Sequence, residues 1–240
     1  MTILLYQDYV HNSGALYRVL RDIYGAGKIH YVDAADIIGG CLSTDIKAFF
    51  LPGGASRYVA AKLNGRGNEL IRGYVAGGGL YIGMCAGAYY ACRRTEWKKG
   101  TAEAICVDNE LAFFPGVAAG PVPGFVREDG GTARNTALDP GGHAVLYTAG
   151  PLFYPDWEAE FQILARYADL PAGENAAVIS GFFGKGRYVL ISPNPAIDST
   201  RLELMSFDVV DNAMAELTGL ETRALLNTDY FIQLCREIID

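Results

Sequence analysis

Gly77-Gly78-Gly79-Leu80-Tyr81-Ile82-Gly83-Met84-Cys85-Ala86-Gly87-Ala88-Tyr89-Tyr90-Ala91-Cys92 is a short apolar run that breaks off in small residues around one cysteine. The run reads as a buried strand, then a sharp turn carrying Cys85, then a helix. Gly83-Met84-Cys85-Ala86-Gly87 has the G-x-nucleophile-x-G form, in which small neighbours allow a strained strand-to-helix turn to present one side chain. A thiol at a helix N-terminus is exposed to unpaired N–H groups, which favour thiolate. Cys85 is therefore expected to have a lowered pKa and to be alkylated before Cys41, Cys92, Cys106 and Cys235. The competing reading is a buried structural cysteine at a tight helix–sheet contact.

Working outward, the segments on either side alternate. Thr2 to Gln7 reads as a strand, Asp8 to Gly14 as a polar loop and Ala15 to Tyr24 as a helix. Lys28 to Val32 and Ile46 to Leu51 are two further strands around a short Asp33 to Ile38 segment. Pro52-Gly53-Gly54 ends the third strand, and helices are expected over Ala55 to Leu63 and Asn64 to Ala76. Strands whose residues are apolar without alternation, interleaved with helices, predict a parallel sheet covered on both faces. Ligands of such sheets bind beyond the carboxyl ends of the strands. Candidate site loops are therefore Asp8 to Gly14, Pro52 to Tyr58, Met84 to Gly87 and one later loop.

From Arg93 to Pro155, Gly and Pro break the chain into small strands and ordered loops. Ala144 to Thr148 and Phe161 to Tyr167 read as strands, and Ala176 to Phe183 with Arg187 to Ile191 as a hairpin about Gly184-Lys185-Gly186. No helix follows that tip, so it is not a phosphate loop. The hairpin delivers Ser192-Pro193-Asn194-Pro195, where each residue before a proline is held extended. Two helices, Ser199 to Leu217 and Glu221 to Ile239, are expected to close the chain. With no repeat, linker or low-complexity stretch, residues 1–240 read as one domain.

Composition narrows the function classes. The 240 residues are 50% hydrophobic, enough for a substantial core. Twenty basic against 27 acidic side chains, a formal charge of −7, offer no surface for a phosphate backbone, so nucleic acid is not an expected partner. Five scattered cysteines form neither a disulfide framework nor a metal spacing, and neither a metal nor another cofactor is expected. No apolar run is long enough to span a bilayer, and no leader is recognisable, so a cytoplasmic protein with no membrane partner is expected.

Leu51-Pro52-Gly53-Gly54, Leu63-Asn64-Gly65-Arg66-Gly67-Asn68, Gly79 to Tyr90, Leu111-Ala112-Phe113-Phe114-Pro115-Gly116 and Ser192-Pro193-Asn194-Pro195, in that order, cover nearly the whole chain. Together they resemble the N-terminal domain of eukaryotic biotin-protein ligases and its free-standing bacterial relatives, which is similar to the class I glutamine amidotransferase-like superfamily. The resemblance implies a flavodoxin-like parallel sheet sandwiched by helices, with added short strands in the second half. It places Cys85 at the nucleophile position, with Gly53 or Gly54 and the Ala86 N–H as a candidate oxyanion hole. Asn194 stands at the position of the catalytic histidine, and Ala196 at that of the glutamate orienting it.

Asparagine cannot accept a proton from a thiol, so the thiol–base–acid relay is missing at its expected place. Of His11, His30 and His143, His11 is the alternative base, on the loop after the first strand; Asp8, Glu96 and Glu158 are weaker candidates. Tyr89 and Tyr90 read as core or pocket wall. Gly65-Arg66-Gly67-Asn68 resembles the biotinyl-adenylate loop of true ligases but opens a helix inside the other fold, and no biotin ligation is expected. The expectation is a cysteine-centred small-molecule site without glutaminase activity. Its alternative is a non-catalytic binding or scaffold protein that keeps the turn for structure. The ligand and the oligomeric state are not encoded in any motif found.

Overall fold

The computed structural model describes residues 1–126, 132–157, 159–198, 200 and 226–240. Its first half is a regular alternation. Strand β1 (Thr2–Tyr6) leads to α1 (Ser13–Tyr24), β2 (Ile29–Val32) to α2 (Ala34–Ile38), and β3 (Ile46–Leu51) to α3 (Ser56–Leu63) and α4 (Arg66–Ala76). Then β4 (Leu80–Met84) runs into the short α5 (Ala86–Ala91). The second half is strand-rich: β5 (Cys92–Trp97), β6 (Ile105–Asp108), β7 (Phe114–Gly120), β8 (Arg134–Asp139), β9 (His143–Tyr147), β10 (Leu152–Pro155), β11 (Gln162–Tyr167), β12 (Ala176–Phe183) and β13 (Gly186–Ile191). The last described element is α6 (Asp229–Ile239).

Local sequence explains the boundaries. In α1 the buried residues Ala15, Leu16, Val19 and Leu20 recur at helical spacing, and Gly25, at φ 89°, ends the helix in a conformation that glycine adopts without strain. Helix α2 is only five residues long but carries a reciprocal capping box. The Asp36 N–H donates to Asp33 Oδ1 at 2.9 Å and the Asp33 N–H to Asp36 Oδ2 at 3.0 Å.

A nine-stranded sheet runs β2-β1-β3-β4-β13-β12-β11-β8-β9. Its first five strands are mutually parallel, and from β13 onward every pairing is antiparallel. The β12–β13 hairpin thus converts a helix-covered α/β half into a meandering half. A second sheet, β10-β7-β5-β6, gathers the short strands of the middle region.

Both faces of the parallel half are buried, and they belong to different apolar clusters. Ile3 and Leu5 of β1 join α1 and α6 through Leu16, Leu20, Phe231 and Leu234, whereas Leu4 and Tyr6 face α3, α4 and α5 through Val59, Ile71 and Tyr90. This is why the strands read as continuous apolar runs rather than alternating ones.

The architecture is the α/β sandwich that the sequence pattern predicts, with short strands added in the second half. Of the expected last helix, residues 226–228 are not helical and Asp229–Ile239 is, with Asn227 Oδ1 accepting the Asp229 N–H at 3.2 Å just ahead of it. The expected helix Ser199 to Leu217, like the expected start of the last one, lies outside the described residues, apart from Thr200.

Candidate functional site around Cys85

The turn between β4 and α5 is built by two close approaches. A Cβ on Gly87 would fall 2.0 Å from the Leu51 carbonyl oxygen, and one on Gly83 2.5 Å from the Gly87 carbonyl oxygen. Only hydrogen fits at either place, so both glycines of the Gly-x-Cys-x-Gly run are fixed by packing. Between them Cys85 has φ 47° and ψ −102°, a strained conformation for a residue with a side chain. Its N–H donates to the Ile191 carbonyl at 2.8 Å, which ties the turn to the end of β13 and so to the loop Ser192 to Pro195.

Four strand ends meet there. The loop after β1 and the loop after β3 are joined by a bridge between Val10 and Gly54, in which the His11 N–H donates to the Gly53 carbonyl at 2.8 Å and the Ala55 N–H to the Tyr9 carbonyl at 3.1 Å. Asn194 bridges to Leu146 of β9 through its N–H.

A directed hydrogen-bond chain runs beneath Cys85. The Gly53 N–H donates to Asn12 Oδ1 at 3.0 Å; Asn12 Nδ2 donates to Asn194 Oδ1 at 2.7 Å; Asn194 Nδ2 donates to Thr148 Oγ1 at 2.6 Å. Because the Thr148 oxygen already accepts, its proton points onward to the Cys85 sulfur, which also receives the Ala86 N–H. Asn12 and Asn194 are each 1% exposed, so these bonds are what makes burying two amides tolerable.

Burial is the largest influence on the thiol and pushes its pKa up to about 11; the Ala86 and Thr148 hydrogen bonds oppose it without reversing it. The expected thiolate is therefore not what this environment favours. Helix α5 has six residues, too few for its end to outweigh desolvation. The expected order of alkylation is revised accordingly, since Cys106 is exposed while Cys85 is half-buried.

Above Cys85 lies a cavity of about 230 Å³ whose wall includes His11, Gly54, Arg57, Ala86, Tyr89 and Trp97. Tyr89, expected as core or pocket wall, is both: its hydroxyl donates to the Ala149 carbonyl at 3.1 Å and its ring meets Trp97 edge-on at 5.8 Å. Tyr90 turns the other way, to Asn68 Oδ1 at 2.7 Å.

The sequence candidates fall into two groups. Cys85, His11, Gly53, Gly54, Ala86 and Asn194 converge on this one place. The Gly53 amide is committed to Asn12; of the pair only Gly54 lines the cavity, and its amide has no partner among the described residues. His30 is exposed on β2, and His143 packs beside Tyr230 at 5.7 Å; neither lines the cavity. Asp8 accepts the Ala34 N–H at 3.0 Å, and Glu96 pairs with Arg94 and Lys99, so both serve structure. Glu158 lies outside the described residues. Ala196 is fully enclosed in the apolar cluster that includes Leu16 and Phe231, a place without a partner for a carboxylate.

Asn12, Thr148 and Arg57 were missed individually, although Asn12 and Arg57 lie in loops named as site candidates and Thr148 ends a predicted strand. Trp97 and Ile105 reach the cavity from the second sheet, and no local pattern announced that. Among the described residues no cluster of three metal-ligating side chains occurs, and no helix is long and apolar enough to cross a membrane.

Comparisons place this geometry among known proteins. Among curated proteins, the chain is 34% identical over 151 residues to an uncharacterized protein of Chlamydia muridarum, covering 60% of this chain and 58% of that one. It is 27% identical over 201 residues to a biotin–protein ligase of Schizosaccharomyces pombe, covering 75% of this chain and 32% of the ligase. The chain thus spans less than two thirds of either relative. Among solved structures, a glutamine amidotransferase superposes with a TM-score of 0.56 at 19% identity, over 80% of this chain and 90% of that one. A cytoplasmic protein of Salmonella typhimurium LT2 superposes with a TM-score of 0.50 at 14% identity, over 100% of both chains. At these identities the likeness concerns the fold, which is glutamine amidotransferase-like. A family model described as biotin-protein ligase, N terminal, matches residues 7–235, and the chain belongs to that family.

Proposed function

We propose that the chain binds a small molecule in the cavity against Cys85 and does not hydrolyse glutamine. The observation that carries this reading is the commitment of Asn194: its oxygen accepts from Asn12 and its nitrogen donates to Thr148, in the place where the resemblance puts a histidine. An amide fixed in that way has no basic atom to take the thiol proton, and a thiol pushed up to about 11 is a poor nucleophile at neutral pH. What remains is a pocket with a polar floor, the backbone of Gly54 and Ala86 in its lining, and an aromatic wall, which suits binding more than turnover. Its volume is below the roughly 300–1,000 Å³ of drug-sized sites, so the ligand is small.

His11 shares the cavity with Cys85 and is the group through which a base could still enter. In the purely structural alternative, which the raised thiol pKa and the packed glycines favour, the turn survives for its fit and the cavity takes no ligand. Five unpaired thiols support a reducing, cytoplasmic setting.

Two measurements test the reading together. Incubation with glutamine should release no ammonia above the Cys85→Ala blank. In a panel of small metabolites, at least one should protect Cys85 against iodoacetamide, and that protection should disappear when Ile105→Trp fills the cavity. Glutamine turnover dependent on Cys85 would overturn the first half, and protection by nothing in the panel would favour the structural alternative.

A further inference from the structure

The fixed charge in the cavity wall is of one sign, while His11, Ser56 and Thr95 add side chains that can donate or accept. Arg57 is the only side chain of fixed charge in its wall, no acidic residue lines it, and Arg57 has no acidic partner among the described residues. The guanidinium packs 4.6 Å above the ring of the neighbouring Tyr58 and donates to the Tyr58 hydroxyl at 2.8 Å. Beside it α3 begins with neither a side-chain cap nor an acidic residue in its first turn, so the amides of Ser56 and Arg57 have no intrahelical acceptor. Gly54 lines the same space, and its amide has no hydrogen-bond partner among the described residues. Tyr89, Trp97, Ile105 and Ala149 supply apolar surface to the same cavity.

Resting on the reading of this cavity as a ligand site, we propose that its ligand is a small monocarboxylate with an apolar body. The carboxylate sits at Arg57 and the Gly54 and α3 amides, and the body lies against Tyr89 and Trp97. One guanidinium balances one negative charge. A dianionic phosphate would leave charge uncompensated in a half-enclosed apolar space, which is costly. A planar carboxylate also matches the fork of a guanidinium.

The probes are 3-phenylpropanoate, its neutral amide and inorganic phosphate, with binding read by Trp97 fluorescence in a Trp157→Phe background, since the chain has two tryptophans and Trp157 is exposed. The acid should bind at least about fivefold more tightly than the amide, the size expected when a cation and a helix end act together on one anion. Arg57→Ala should erase the difference, Arg57→Lys should restore part of it, and added salt should weaken it. Arg57 is exposed, so neither substitution threatens folding. In parallel, the ratio of iodoacetate to iodoacetamide reactivity at Cys85 should exceed that of mercaptoethanol in the native chain and fall to it in Arg57→Ala.

Equal binding of acid and amide, or an acid preference that survives Arg57→Ala, overturns the carboxylate assignment. Phosphate binding more tightly than the acid overturns it as well. If iodoacetamide protection shows that the cavity binds neutral ligands while iodoacetate gains nothing, only this assignment fails. If no probe binds and Cys85 cannot be reached even by iodoacetamide, the ligand site itself fails.

Discussion

Two hydrogen-bond networks, both centred on buried asparagines, lie at opposite ends of α5. At its start, Asn12 and Asn194 form a neutral chain that ends on the sulfur of Cys85, beneath a cavity. Towards its end, Asn68 accepts from the Tyr90 hydroxyl at 2.7 Å and donates to Asn64 Oδ1 at 3.0 Å and to Glu110 Oε2 at 2.8 Å. Glu110 in turn accepts the Gly65 N–H at 2.7 Å, while Arg72 binds the carbonyls of Glu110 and Leu111. The second network closes on itself and fastens α4 to the segment before β7. The first stops at a nucleophilic atom with open space on its far side. Similar residues thus serve structure in one place and, in our proposal, a ligand in the other, and the difference is whether the last group in the chain has somewhere to face.

The comparison breaks most readily at the closed network. Asn68→Ala should cost about 2 kcal/mol of unfolding free energy, because it removes the 2.7 Å acceptor of the buried Tyr90 hydroxyl and leaves it only the longer contact to Asn64 Oδ1. The rate of Cys85 alkylation should stay within about twofold, as expected of a distant, independent site. A change at Cys85 as large as the change in stability would mean that the two ends of α5 are coupled.

Next in size is the pH dependence. Cys85 is neutral in the folded chain up to about 11, whereas an unfolded thiol ionises near 8.5. Between those values the unfolded state has lost the proton and the folded state retains it, so the contribution is fully present below the unfolded pKa and is lost as pH rises through the folded one. Cys85→Ala should therefore flatten the decline in stability by about 1.4 kcal/mol for each pH unit inside that window. Identical profiles for the two proteins would place the thiol in water.

A smaller loss, about 1–2 kcal/mol, is expected for Asn194→Ala, which leaves the Asn12 amide and the Thr148 hydroxyl short of one partner each. Unlike Asn68→Ala, it should also alter Cys85 alkylation, since Thr148 then loses the donor that turns its proton towards the sulfur. The mildest variant is Thr148→Val, nearly the same shape without the hydroxyl. It should cost about 1 kcal/mol and slow alkylation further by removing a bond that favours thiolate. Faster alkylation in Thr148→Val would reverse the sign we assign to that hydrogen bond.

Much of the fold was legible because its cause is local. Residues 3–6, 48–51, 80–84 and 188–191 carry no charged residue and no polar alternation, which a doubly covered sheet explains, and the glycines at 83 and 87 marked the tight turn. The site was legible only as far as its loops. Strand ends named four of them, but which residues would touch depended on register: Leu146 opposite Asn194, and Val10 opposite Gly54. The roof from Trp97 and Ile105 depended on how the second sheet folds over, a long-range packing that short broken runs do not encode. The misjudged thiol has the same origin. A helix start is visible in sequence, whereas the burial that outweighs it belongs to the assembled core.

The most direct test of a thiol without a base is the pH–rate profile of iodoacetamide alkylation at Cys85, read by peptide mapping in the native chain. The account predicts a single rise with a midpoint near 11, no shoulder at neutral pH, and Cys106 modified first. A midpoint well below the free-thiol value of about 8.5 would contradict it, since some group, with His11 the first to substitute, would then be taking the proton that Asn194 cannot.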